Sequence, residues 1–120
     1  MKRFAPVVLV VLLLTGCAAS STTYASPQDL QEAYSDAGGT CDDATDVPES
    51  MTSEGTHGVF CEDATMLLVF DDETAQNRYV ARIGESDAAR LTGSRWMAIA
   101  ISDEVDLDKF TGKLGGEVQK

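Results

Sequence analysis

Few side chains in this sequence are able to do chemistry. There are three cysteines, Cys17, Cys41 and Cys61, and a single histidine, His57. Neither a G-x-S-x-G nor an H-E-x-x-H pattern occurs, and no glycine-rich loop is built to hold phosphate. His57 lies in Gly55-Thr56-His57-Gly58, where an isolated imidazole is expected to be exposed and inert, or at most to respond to pH. Cys41 and Cys61 lack a CxxC spacing and have only His57 to help them, which argues against a metal site. Glu104, Asp106 and Asp108 alternate as the first ligands of a calcium loop do. Lys109 then stands where that loop needs glycine and Gly115 where it needs a bidentate glutamate, so the motif fails. Asp103 with Glu104, and Asp71-Asp72-Glu73, read instead as first-turn carboxylates that favour helix N-termini. No enzyme activity, metal or cofactor is therefore expected. His57, Arg95 and Trp96 remain as contacts for a partner, although a lone tryptophan at the head of an apolar strand belongs more often to a core.

The third cysteine has a different setting. Lys2 and Arg3 precede a stretch, residues 4–14, that carries no polar side chain. Its eleven residues fall short of the roughly 20 that a helix needs to cross a bilayer. They match the apolar core of a signal peptide behind positive charge. Leu14-Thr15-Gly16-Cys17 follows and resembles the lipobox of bacterial lipoproteins, an aliphatic residue and two small ones before a cysteine. The resemblance implies diacylglycerol on the Cys17 sulfur, removal of residues 1–16 and a further acyl chain on the new N-terminus. Burial contributes about 0.8 kcal/mol per methylene, so two or more chains hold a protein at a membrane without a spanning helix. Ala18 stands where an aspartate would favour inner-membrane retention in diderm bacteria.

With Cys17 committed to lipid, Cys41 and Cys61 are left as an even pair in an oxidising compartment, and a disulfide is expected. Without Lys2 and Arg3, seven basic residues face twenty acidic ones, a balance of −13 against −11 for the full chain. Such a surface repels nucleic acid and anionic headgroups and suits a basic protein or peptide.

The elements that must position these residues follow from capping and periodicity. Residues 17–26, small and polar, read as the lipidated cysteine and a flexible tether. The rest, 27–120, is expected to form one α+β domain. Ser26-Pro27-Gln28-Asp29 opens a first helix with Leu30, Ala33, Tyr34 and Ala37 on one stripe, ended by Gly38-Gly39. Residues 42–58, with five acids, read as an exposed loop. Two strands, 59–61 and 65–70, flank a tight acidic turn, and Asp71 and Asp72 cap a helix over 73–83 that Gly84 stops. Residues 85–94 are polar. A strand over 95–101, apolar on both faces, is expected at the centre of its sheet. Ser102 or Asp103 then caps a last helix with Leu107, Phe110 and Leu114 inward. The order α-β-β-α-β-α predicts a small antiparallel sheet of about three strands packed with three helices.

Taken along its length, the sequence resembles small lipoproteins of actinobacteria. Beyond the lipobox, the likeness runs through Ala37-Gly38-Gly39-Thr40-Cys41, Phe60-Cys61, Leu67-Leu68-Val69-Phe70, Gly93-Ser94-Arg95-Trp96 and Leu114-Gly115-Gly116. It implies a place on the extracytoplasmic face of the cell membrane and carries no activity with it. Two functions are consistent with this reading: a non-catalytic domain that binds or supports another envelope component, or an inhibitor of a basic secreted enzyme such as a lysozyme or protease. The second needs 42–58 ordered enough to enter a cleft.

Overall fold

The computed structural model describes residues 22–84 and 88–119. The lipobox residues Leu14, Thr15, Gly16 and Cys17 lie outside them, as does the beginning of the tether. Helix α1, Pro27–Asp36, starts where Ser26 leaves the extended backbone, and the Asp29 N–H donates to Ser26 Oγ at 3.2 Å. That satisfies one of the donors a helix start otherwise leaves free, and Pro27 lacks the N–H that would be another. Beyond Asp36 the chain turns through Gly38 at φ 109°. A Cβ on Gly39 would stand 2.2 Å from the Tyr34 ring, so only glycine lets the chain pass α1 here.

Six strands form one antiparallel sheet: β1 (Thr45–Asp46), β2 (Thr56–Phe60), β3 (Thr65–Phe70), β4 (Arg90–Gly93), β5 (Trp96–Ala100) and β6 (Glu117–Gln119), in the order β1-β2-β3-β5-β4-β6. β3 and β5 sit side by side at the centre and are buried along their whole length. Both read as runs of apolar residues because each covers two cores at once. On one face Val59, Leu67, Leu91, Trp96 and Ala98 pack against Leu30 and Tyr34 of α1, together with Leu107, Phe110 and Leu114. On the other, Met66, Leu68, Phe70, Met97 and Ile99 pack against Ala75 and Tyr79 of α2, Glu73–Ile83. The Asp72 carboxylate caps α2 by accepting the Ala75 N–H at 2.8 Å, and Gly84 closes it.

The disulfide joins Cys41, just beyond α1, to Cys61 at the end of β2, with Cα atoms 4.6 Å apart and a separation of 20 residues. Both cysteines are buried in the α1-side core. Closing a loop of that size contributes about 3 kcal/mol in the chain-entropy account.

The class is α+β as expected, with three α-helices among the described residues, but the sheet has six strands rather than about three. β1 and the start of β2 lie inside the 42–58 segment that reads as a loop, which also holds a 3-10 turn at Glu49–Met51. β4 falls in the polar 85–94 segment, and β6 follows Gly115-Gly116. The last helix also begins later than expected. Its capping residue is Asp106, whose carboxylate accepts the Asp108 N–H, and a 3-10 turn at Leu107–Phe110 runs into α3, Thr111–Leu114. Ser102 instead accepts the Glu104 N–H within the preceding turn, so Asp103 and Glu104 serve no helix start. The flexible tether is corrected as well. Thr22 to Ser26 lies against the domain: the Trp96 indole N–H donates to the Thr22 carbonyl at 3.0 Å, the Tyr24 ring meets Trp96 edge-on at 5.4 Å, and the Tyr24 hydroxyl donates to Leu114 O.

Candidate functional site

His57 stands on β2 opposite Val69 of β3, on the face that α1 covers. One residue past β3, Asp71 brings its carboxylate to the same side, and His57 Nε2 lies 3.0 Å from Asp71 Oδ1. The Asp71 N–H also donates to the Gly55 carbonyl at 2.8 Å, which ties the end of β3 to the turn before β2. Both side chains of the pair are more than half exposed, 55% and 64%, so their attraction adds little to stability. Its effect is to orient the imidazole at the junction of two clefts.

The first is a groove of about 830 Å³ between the start of α1 and the 46–58 segment, lined among others by Pro27, Asp46, Pro48, Glu49, Glu54 and His57. The second, about 780 Å³, shares Pro27 and His57 and is lined further by Tyr24, Asp29, Asp71 and Arg95. Two hydroxyls of the groove lining, Ser53 Oγ and Thr56 Oγ1, are buried and have no hydrogen-bond partner among the described residues. A histidine held by a carboxylate is the orienting half of a nucleophilic relay. Ser53 Oγ bonds to neither member here, so the relay is not assembled in this geometry.

The structure thus brings together two of the residues singled out from sequence, His57 and Arg95, on the rim of one cleft. Trp96 is fully buried, which corrects its reading as a partner contact: its ring is enclosed by Tyr24 and the α1-side core. Among the described residues no three His, Cys, Asp or Glu side chains are grouped to hold a metal ion. Asp72 is a cap, as its place before α2 indicates, whereas its neighbour Asp71 serves His57 instead. Sequence reasoning missed Asp71 as a histidine partner, and it missed Ser53, Thr56 and the docking of Tyr24. Tyr24 left a signal, a lone aromatic in a run of small polar residues. The others left none, because the pairings join segments that only the β2–β3 hairpin brings together.

The three tyrosines share a trend. Burial pushes Tyr24, Tyr34 and Tyr79 above the ordinary phenol value. For Tyr34 the neighbouring Asp63 carboxylate, which accepts its O–H at 2.7 Å, pushes in the same direction, against a lowering contribution from Thr65.

The site and fold define a small disulfide-stapled α+β domain with a polar cleft pair at one end of its sheet. The sequence matches no protein family, no curated protein and no solved structure.

Proposed function

We propose that this chain is a lipid-anchored extracytoplasmic binding domain, held to the cell membrane through Cys17 and acting without catalysis on another envelope component. The observation that carries the reading is Leu14-Thr15-Gly16-Cys17 behind a basic start and an apolar stretch too short to span. The buried Cys41–Cys61 disulfide supports it, since such bonds persist in oxidising compartments. No helix among the described residues is long and apolar enough to cross a membrane. The charge of −13 on the chain from Cys17 onward favours a basic partner over nucleic acid.

Metabolic labelling with a palmitate analogue tests the anchor. Label and membrane association are expected in the native chain and should vanish in Cys17→Ala. An unlabelled native chain found free in the medium would refute it. A second reading, inhibition of a basic secreted enzyme such as a lysozyme or protease, is supported by the groove that the 46–58 segment builds. Under that reading the domain retains such an enzyme at low salt, releases it at high salt and suppresses its activity in the complex. Retention with full activity would favour the first reading.

A further inference from the structure

We infer that Met51 is the position at which this chain takes up a peroxide-type oxidant, as a surface sulfoxide that leaves the fold intact. Four methionines occur in the sequence, and three of them, Met51, Met66 and Met97, lie among the described residues. Met51 is 49% exposed and belongs to neither core, whereas Met66 is 8% exposed and Met97 is fully buried. Met66 stands on β3 and Met97 on β5, both on the sheet face that α2 covers. The inference goes beyond the anchor and the binding reading, because it needs neither.

A thioether reacts only when its sulfur meets the oxidant, so exposure ranks the three. In the reaction a sulfur lone pair attacks one oxygen of hydrogen peroxide. The S–O bond forms as the O–O bond breaks, and the second oxygen leaves as water once a proton has moved to it. Sulfur gives up two electrons and the peroxide gains them. On Met51 the new oxygen lies at the surface, within reach of water. The 3-10 turn Glu49–Met51 does not depend on the thioether. The Met51 N–H donates to the Pro48 carbonyl at 2.9 Å, and the Glu49 carbonyl accepts both the Thr52 N–H at 3.2 Å and the Thr52 hydroxyl at 3.3 Å. On Met66 or Met97 the same oxygen would enter the apolar core between the sheet and α2, at the cost of a buried polar group without a donor. Oxidation therefore divides into two stages. The first turns an apolar tip of the 46–58 segment polar, and the second requires the sheet to open.

The test treats the full chain with graded hydrogen peroxide at neutral pH, and peptide mass mapping reads each methionine separately. Met51 is expected to gain one oxygen about tenfold faster or more than Met66 and Met97. The melting temperature at that stage should hold within about 2 °C, as for an ordinary surface change. Met51→Leu should abolish the early oxygen gain, keep the melting temperature and leave the slow oxidation of Met66 and Met97 as it was. In unfolding urea all three should react at similar rates, which ties the ranking to the fold. Oxidation of Met66 or Met97 as fast as Met51 in the folded protein overturns the proposal, and so does a marked fall in melting temperature when Met51 alone carries oxygen. A ranking that persists in urea overturns it too, since flanking sequence would then set the order.

Discussion

Gln76 sits on the buried side of α2, only 9% exposed, and its amide meets the β4–β5 turn. Nε2 donates to the Gly93 carbonyl at 2.9 Å and the Trp96 carbonyl at 3.3 Å, while Oε1 accepts the Arg95 N–H at 2.9 Å. One side chain thereby serves both sides of a turn whose Arg95 is held at φ 64°, a left-handed conformation that costs a non-glycine residue about 1 kcal/mol. Gln76→Leu keeps the volume but leaves these backbone groups without their partner. It is expected to cost about 2–4 kcal/mol, seen as a lower denaturation midpoint with an unchanged slope. A loss under about 1 kcal/mol would mean that water replaces the amide and that the turn does not depend on it. The consequence reaches the second cleft, because the same turn presents Arg95 beside His57 and Asp71.

The elements divide by how much side-chain burial defines them. Helix α2 was legible to the residue: Asp72 caps it, Ala75 and Tyr79 recur on its buried side, and Gly84 ends it. β3 and β5 were legible as apolar runs, and the central place of β5 followed from its two apolar faces. β1, β4 and β6 were not. β1 shows two exposed residues, β6 exposes two of its three, and β4 buries Leu91 as its one fully enclosed side chain. Such strands are recruited by the backbone groups of a neighbour, and little in their side chains records it. The same limit applied to the site. His57 was visible as the single histidine, but its partner Asp71 and the hydroxyls of Ser53 and Thr56 depend on the hairpin register.

The segment from Thr22 to Ser26 belongs with these weakly encoded elements, and it is open to a direct check. Tyr24 covers Trp96 edge-on and bonds to Leu114 O across the end of the sheet. Tyr24→Ala removes both contacts and is expected to lower stability by about 1–3 kcal/mol. The tryptophan emission should shift to the red, and acrylamide should quench it more readily as the indole is uncovered. Unchanged emission would show that this segment does not shield Trp96 in solution.

Taken whole, the molecule links its packing to alkaline pH through its tyrosines. It has three in all, and every one is held above the ordinary value of 10.0, first by burial in each case. In the unfolded chain each phenol releases its proton near pH 10, while the folded state still holds it. The unfolded state therefore binds fewer protons above pH 10, and stability falls as pH rises from there. Below that value all three phenols are protonated in both states and contribute no pH dependence. Stability by urea melts is thus expected to show no tyrosine-linked change between about pH 7 and 9 and to decline steeply above about 10. Tyrosinate absorbance should rise together with the loss of far-ultraviolet ellipticity rather than ahead of it. Three phenols titrating independently near pH 10 in a protein that keeps its ellipticity would contradict the burial of Tyr34 between α1 and the sheet.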